Sequence, residues 1–174
     1  MDKKLIQALK DCKAVKFGEF TLASGRKSNY YIDIKKAISD PKTLDLIASR
    51  IVRIINEKGI CVEAIGGVAV GAVPLATAVS LRSGLPLVII RKSLKEYGVG
   101  GRFIGDIQER SLLMVEDVTT TGSSVIEAIK ALNEEGAKVD TVISIVDRDE
   151  GAGAGLEAMG VQLLPLVKAA DLLN

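Results

Sequence analysis

The most informative segment of the chain runs from residue 112 to residue 125 and reads LLMVEDVTTTGSSV. Its apolar start predicts a buried parallel strand that ends at Val115, and two adjacent carboxyl groups, Glu116 and Asp117, follow at the carboxyl end of that strand. Carboxylates at this place can accept hydrogen bonds from the vicinal hydroxyls of a sugar. Two like charges side by side are costly unless a polyhydroxyl or metal ligand uses them. The acidic pair therefore predicts a sugar-binding site.

Small and hydroxyl-bearing residues follow the acidic pair and predict an anion-binding turn. They would let successive backbone N–H groups face one phosphate before a helix begins near Ser124, and the threonine and serine hydroxyls would add donors. The segment lacks both the lysine of a G-x-x-x-x-G-K-[ST] loop and the G-x-G-x-x-G spacing, which disfavours nucleoside triphosphates and dinucleotides. A capped turn without a ligand stays open as an alternative. The turn consists of Val118, Thr119, Thr120, Thr121, Gly122, Ser123 and Ser124.

Length and composition limit the class of protein. The 174 residues predict one domain, and with 48% hydrophobic residues the chain can bury a sizeable core. The longest apolar runs are far shorter than a membrane span, and the N-terminus lacks the apolar centre of a signal peptide, so we expect a cytoplasmic enzyme with no membrane partner. A net charge of +1 disfavours a broad nucleic-acid-binding surface.

The chain contains no histidine, which excludes Ser-His and Cys-His nucleophiles and removes the commonest general base. Its two cysteines, Cys12 and Cys61, form no C-x-x-C pair and are expected to be reduced. Any catalysis must therefore rely on electrostatics, on a metal, or on carboxylate and lysine chemistry.

Alternating strands and helices must position these residues. Apolar spacing predicts a helix over residues 3–12, an extended aromatic segment over 15–36, and a helix from Pro41 that ends at Gly59. Five short strands then alternate with helices, which predicts an α/β fold with a doubly wound, mainly parallel five-stranded sheet and helices on both faces. Residues 1–39 would form a helix and a flap over the site, residues 40–174 the core, and residues 1–174 a single domain. The predicted strands are 61–65, 87–90, 112–115, 139–146 and 162–166, and the core helices are 73–82, 124–135 and a Gly/Ala-rich helix before the last strand.

Three further segments follow predicted strands and would lie at the same sheet edge. Residues 91–102 combine four cations with three glycines, which predicts a mobile anion-binding loop, although a solvated charged loop is the alternative. Residues 65–74 are glycine-rich. The glycines of 66–71 predict either a phosphate-binding turn or tight packing of a helix against a strand, and the sequence favours neither. Arg148 could bind a planar carboxylate, or form an ordinary salt bridge at a strand end.

The sequence from Val115 to Ser124 resembles the phosphoribosyl pyrophosphate (PRPP) signature of the type I phosphoribosyltransferases. In that family the two acids hold the ribose hydroxyls and the following loop holds the 5-phosphate. The segment from Phe17 to Ser28 with Tyr30 and Tyr31, and the Arg91-Lys92-x-x-Lys95 pattern, are similar to the members that use orotate as the acceptor base. In those members the N-terminal segment lies over the base, and the Arg91–Lys95 loop closes over the site and contributes partly to that of the neighbouring subunit.

The resemblance implies an Mg²⁺-dependent reaction of PRPP with orotate that gives orotidine 5′-monophosphate and pyrophosphate, in a homodimer with shared sites. It implies catalytic roles for Lys95, Glu116 and Asp117, contacts of Thr120 and Arg148 with orotate, and Mg²⁺ held mainly by PRPP with no direct protein ligand. The alternatives are a purine phosphoribosyltransferase, which Arg148 and the tyrosines argue against, and a PRPP-sensing regulator, for which the chain lacks extra length and positive charge. The implied PRPP-binding residues are Arg91, Lys92, Lys95, Glu116, Asp117, Val118, Thr119, Thr120, Thr121, Gly122, Ser123 and Ser124.

The sequence also departs from the family at three positions. Many bacterial relatives have lysine where this chain has Ala23, a further lysine in the pyrophosphate loop near the position of Val70, and histidine where this chain has Tyr97. The remaining cations of the 91–95 segment are therefore the main candidates for contact with the pyrophosphate.

Overall fold

The structure is a computed structural model that describes residues 2–21, 27–95 and 101–173, with the backbone alone for 93–95. The side chain of Lys95, for which the sequence predicts a catalytic role, lies outside the described residues, as do the departures at Ala23 and Tyr97.

The N-terminal part is a helix followed by a two-stranded antiparallel hairpin and two further helices. Asp2 accepts a hydrogen bond from the Leu5 N–H (3.1 Å) at the start of the first helix. Asp40 accepts one from the Thr43 N–H (2.8 Å) at the start of the helix that begins at Pro41. Residues 34–36, predicted to be extended, belong instead to a short helix whose apolar side is buried. The elements are α1 (Lys3–Asp11), β1 (Val15–Thr21), β2 (Lys27–Ile32), α2 (Ile34–Ser39) and α3 (Pro41–Lys58).

A mainly parallel six-stranded sheet follows, in the order β5-β4-β3-β6-β7-β8. The predicted α/β class is confirmed, but the sheet has six strands where the sequence predicted five. The additional strand, β5, is only four residues long, pairs antiparallel with β4 at the sheet edge, and begins within the 91–102 segment that was predicted to be a loop. The elements are β3 (Ala64–Val68), α4 (Val73–Ser83), β4 (Leu87–Lys95), β5 (Gly101–Ile104), β6 (Ser111–Thr119), α5 (Ser123–Glu134), β7 (Lys138–Asp147), α6 (Ala152–Glu157), β8 (Gln162–Lys168) and α7 (Ala169–Leu173).

The strand order places a topological switch point between β3 and β6. The connection from β3 through α4 leads to β4 on one side of β3, whereas the chain returns to β6 on the other side. In open parallel sheets, ligands bind in the crevice outside the carboxyl ends of strands at such a point. The Glu116-containing end of β6 lies at this crevice.

Helices cover both faces of the sheet. One apolar cluster joins α1, α2, α3, α4 and α7 to one face, and a second joins α5 and α6 to the other. Two glycines of β3 allow this packing: a Cβ at Gly66 would lie 2.5 Å from the sulfur of Met114, and one at Gly67 would lie 2.8 Å from the Cβ of Ala76. These two glycines therefore belong to a strand and to the core, where the sequence predicted the beginning of a loop. In the described parts of the chain, no helix combines the length and apolarity needed to cross a membrane.

Candidate active site

The acidic pair lies within β6 and not beyond its end. The strand continues to Thr119, where the sequence predicted that it ends at Val115, because residues 116–119 keep pairing with β7. Successive side chains of a strand point to opposite faces. Glu116 is accordingly buried, with 8% of its surface exposed, whereas Asp117 is half-buried.

Burial and the adjacent Asp117 charge raise the pKa of Glu116 to about 8. Glu116 therefore keeps its proton at neutral pH in the free protein and can donate a hydrogen bond as well as accept one. The Asp117 carboxylate accepts a hydrogen bond from the Val118 N–H (2.8 Å) and lines the crevice. The two neighbouring carboxyl groups thus differ in environment and offer different hydrogen-bonding capacity to a polyhydroxyl ligand.

The turn after β6 leads directly into the N-terminus of α5. Gly122 has a φ of 74°, in the left-handed region that favours glycine, and α5 begins at the next residue. The first helical hydrogen bond runs from the Ile126 N–H to the Gly122 carbonyl (2.9 Å), so the amides that precede Ile126 have no acceptor within the helix. Thr121 accepts a hydrogen bond from the Ser123 N–H (3.4 Å). The helix is 12 residues long, and its N-terminus can bind an anion.

The threonine hydroxyls of this segment do not all face the crevice. Thr119 is 2% exposed, and its hydroxyl donates to Asp147 (2.9 Å), which joins the ends of β6 and β7. The sequence predicted a phosphate-binding hydroxyl at Thr119, whereas the structure uses that hydroxyl within the sheet. Val118 and Thr119 also belong to β6, so the turn itself is shorter than the predicted 118–124 segment.

Two adjacent cavities occupy the crevice, with volumes of about 580 Å³ and 500 Å³. The first lies between the end of β6 and the β3–α4 loop and includes Lys92 in its lining. The second lies between the β6–α5 turn and the N-terminal hairpin and includes Tyr31 and Arg148. The residues that line both cavities are Lys35, Asp117, Val118, Thr120, Ser123 and Ser124.

Arg148 supplies a buried guanidinium to the second cavity. Its side chain is 5% exposed, its Nε lies 2.9 Å from Glu150 Oε1, and its guanidinium lies 4.7 Å from the centre of the Tyr30 ring. Ser28 accepts a long hydrogen bond from Nη2 (3.4 Å). The Nε–H has no hydrogen-bond acceptor among the described residues, although the Glu150 carboxylate lies at ion-pair distance. The guanidinium is thus held by ring, charge and hydroxyl contacts while one buried donor remains unsatisfied.

The described parts of the 91–102 segment, residues 91–95 and 101–102, lie in the paired strands β4 and β5, where the sequence predicted a loop. Arg91 and Lys92 lie in β4, and Arg91 donates to the Gly101 carbonyl (2.9 Å). Arg102 in β5 donates in return to the Arg91 carbonyl (3.2 Å), and it also donates to Glu127 (2.8 Å). Lys92 lines the first cavity, whereas Arg91 lines neither cavity.

The β3–α4 loop forms the opposite wall of the first cavity. A Cβ at Gly71 would lie 3.0 Å from Asp117 Oδ2, so the missing side chain lets this loop approach the acidic pair. Val70 lines the cavity and is 81% exposed. The glycines of the 66–71 segment therefore have two roles. Gly66 and Gly67 allow close packing in the core, and Gly71 allows the loop to lie close to Asp117 in the crevice.

Sequence reasoning missed two residues of the crevice, Glu150 and Lys35. Glu150 stands two positions after Arg148, a spacing that could have indicated an ion pair. Ser28, which contacts Arg148 but lines neither cavity, was seen only as part of a motif. Lys35 had no signal in the sequence, because it is one of many charged residues and only the packing of α2 brings it to the cavities.

Comparison with known proteins agrees with the fold. The sequence profile of the phosphoribosyl transferase domain matches residues 35–161. An orotate phosphoribosyltransferase of Methanosarcina acetivorans is 56% identical over 173 residues, which cover 99% of this chain and 91% of the relative. The chain therefore belongs to the phosphoribosyltransferase family and, within it, to the orotate phosphoribosyltransferases.

Solved structures extend the comparison. The crystal structure of an orotate phosphoribosyltransferase from Aeropyrum pernix has a TM-score of 0.84 and 32% identity, covering 97% of this chain and 96% of that one. The Mycobacterium tuberculosis enzyme in complex with PRPP has a TM-score of 0.79 and 29% identity, with 98% of each chain covered.

Proposed function

We propose that this chain catalyses the transfer of ribose 5-phosphate from PRPP to orotate, giving orotidine 5′-monophosphate and pyrophosphate in pyrimidine biosynthesis. The observation that carries the proposal is the junction of the two cavities. An acidic pair and a helix N-terminus, which suit a ribose phosphate, adjoin a cavity with a buried arginine, which suits a carboxylated base. The relatives named above have this activity.

The sugar phosphate would bind along the end of β6 and the start of α5. Glu116, protonated at neutral pH, and Asp117 would hold the two ribose hydroxyls and position the anomeric carbon for attack. The backbone amides from Thr120 to Ser124, with the Thr121 and Ser123 hydroxyls, would hold the 5-phosphate at the positive end of the helix dipole. Val118 and Thr119 would contribute through their backbone.

Orotate would bind in the second cavity, with its carboxylate on Arg148 and its ring near Thr120. The Tyr30 ring and Glu150 hold the guanidinium in place, and the unsatisfied Nε–H is a donor that an incoming carboxylate could use. The orotate ring nitrogen can react as an anion, so the reaction needs no strong protein base, which suits a chain without histidine.

The leaving pyrophosphate would lie in the first cavity, against Lys92 and the β3–α4 loop, and Lys95 would neutralise the charge that builds up on it. The described residues contain no group of three or more Cys, Asp or Glu side chains that could hold a metal ion. Mg²⁺ would be held mainly by PRPP and would supply positive charge to the departing pyrophosphate.

We further propose that two copies of the chain share their active sites. Arg91 carries a cation that the family places at pyrophosphate, yet it lines neither cavity of its own chain. A position facing the neighbouring copy would account for that placement. We also propose that residues 1–174 act as one domain, since a single apolar cluster joins α1 and α2 to the sheet. The cytoplasmic location expected from the sequence stays a prediction.

The activity is tested by a spectrophotometric assay with PRPP and Mg²⁺ and with orotate, uracil, adenine, guanine or xanthine as the base. We expect turnover with orotate alone. Turnover with a purine and not with orotate would replace the proposal by a purine phosphoribosyltransferase, and no turnover with any base would favour a PRPP-sensing regulator.

Specificity for orotate is tested by Arg148→Met. Loss of a buried charge partner costs about 2–5 kcal/mol, so kcat/KM for orotate should fall by roughly 30-fold to 5,000-fold. Because the substitution also removes the ion pair between Arg148 and Glu150, the double variant Arg148→Met with Glu150→Gln is the matched control. It should recover stability but not orotate turnover. A double variant as active as the Glu150→Gln single variant would remove Arg148 from the base site.

A further inference from the structure

Lys35 occupies a position that no motif indicates. Of the residues that the structure describes, it is the only one outside the β6–α5 segment that lines both cavities. Among the described residues, the cations of the first cavity are Lys35 and Lys92, and those of the second are Lys35 and Arg148. Lys35 is therefore the cation that the two cavities share. It therefore faces the part of the crevice where the two cavities meet.

The helix that carries Lys35 is firmly anchored. Ile34, Ala37 and Ile38 of α2 are buried in the core cluster, with exposures of 1%, 0% and 8%. Lys35 and Lys36 are the exposed lysines of this helix, and only Lys35 lines the cavities. The backbone of Lys35 is therefore fixed by its neighbours while its long side chain can adjust to a ligand.

The Lys35 ammonium is available to an anion. Asp33, the nearest acid along the chain, is paired with Lys16 at 2.9 Å. Within residues 2–21, 27–95 and 101–173, no ion pair or hydrogen bond engages Lys35 Nζ. The crevice already contains a helix N-terminus that can bind an anion. An unpaired ammonium group beside it can contact the same anion as a second positive group.

The location of Lys35 identifies which part of the ligand it would contact. Under the proposed function, pyrophosphate lies in the first cavity and the base in the second, so the shared residues surround the ribose 5-phosphate, which PRPP and orotidine 5′-monophosphate have in common. We propose that Lys35 binds the 5-phosphate from the side opposite the N-terminus of α5, as a substrate-positioning residue. This inference rests on the proposed function for its assignment of the two cavities.

The test compares Lys35→Met with Lys36→Met, a matched control on the same helix. Ribose 5-phosphate is the probe, and its affinity is measured by calorimetry without turnover. Loss of one charge-assisted contact should weaken it about 10-fold in Lys35→Met, and the KM values for PRPP and orotidine 5′-monophosphate should rise by a similar factor. The KM for pyrophosphate in the reverse reaction should change less than about twofold, and Lys35→Arg should restore most of the affinity.

Three results would overturn the inference: unchanged ribose 5-phosphate affinity in Lys35→Met, an equal loss in Lys36→Met, or a rise in KM confined to pyrophosphate. Failure of the proposed function gives a different result. A wild-type protein that does not convert orotate would reject the reaction, while the calorimetric comparison of the two lysine variants would still decide whether Lys35 binds a sugar phosphate.

Discussion

Glu116→Gln is expected to make the protein more stable at alkaline pH, although it removes a residue of the candidate active site. The ordinary pKa of a glutamate is 4.5, and burial with the neighbouring Asp117 charge raises that of Glu116 to about 8. Between these values the folded protein holds a proton that the unfolded chain has lost. The free energy of unfolding must therefore fall as the pH rises from 4.5 to about 8, and it stays low above that range.

The size of the effect follows from the difference between the two pKa values. Each pH unit is worth about 1.36 kcal/mol, so this one group can remove roughly 4–5 kcal/mol of stability between the two limits. That is a large share of the 5–15 kcal/mol that a typical domain has. Glutamine keeps the shape and the hydrogen-bonding capacity of the protonated acid but cannot ionise. Glu116→Gln should thus lie within about 1 kcal/mol of the wild type at pH 5 and exceed its stability by several kcal/mol at pH 9.

Guanidinium chloride unfolding at pH 5, 6, 7, 8 and 9 measures this difference. Far-ultraviolet circular dichroism is the suitable probe because the chain has no tryptophan, and one protein concentration should be kept throughout in case subunits associate. Asp117→Asn is the control: without the neighbouring charge the folded-state pKa of Glu116 is lower, so the fall in stability should still begin near pH 4.5 but level off at a lower pH and be smaller. Wild-type and Glu116→Gln curves that stay parallel from pH 5 to pH 9 would refute the reasoning.

The remaining predictions concern two glycines of the 66–71 segment and Lys95. Gly71→Ala would place a Cβ 3.0 Å from Asp117, at the end of a side chain that can move, so the KM for PRPP should rise with little loss of stability; an unchanged KM would argue against close approach of this loop. Gly67→Ala would place a Cβ 2.8 Å from a methyl group of α4 and should cost about 1–3 kcal/mol of unfolding free energy, with turnover per folded molecule retained. Lys95→Ala should lower kcat roughly 10²–10³-fold, as for the loss of one transition-state charge partner, whereas Lys130→Ala on the exposed side of α5 should not; equal rates in both variants would remove Lys95 from catalysis.

Much of the fold could be predicted because local patterns and tertiary packing agree. The helix that begins at Pro41 and ends at Gly59 has its cap, its apolar face and its left-handed terminal glycine in the sequence, and the structure contains it with those bounds. Strand ends were less predictable. β6 was expected to stop at Val115 because polar residues follow, yet pairing with β7 carries it four residues further. Backbone pairing with a distant strand has no local sequence signal.

For the candidate site, the sequence by itself determined the chemistry of one segment: two acids, a hydroxyl-rich turn and a glycine that allows α5 to begin. The types and order of these residues suffice because the motif is contiguous. Only the tertiary structure decided which side chains face the crevice. It turned the Thr119 hydroxyl toward Asp147 and placed Tyr30 and Glu150 around Arg148. It also brought Lys35 to the junction of the two cavities. These contacts join residues far apart in the chain, and side-chain direction there depends on strand register and helix packing, which no local pattern encodes.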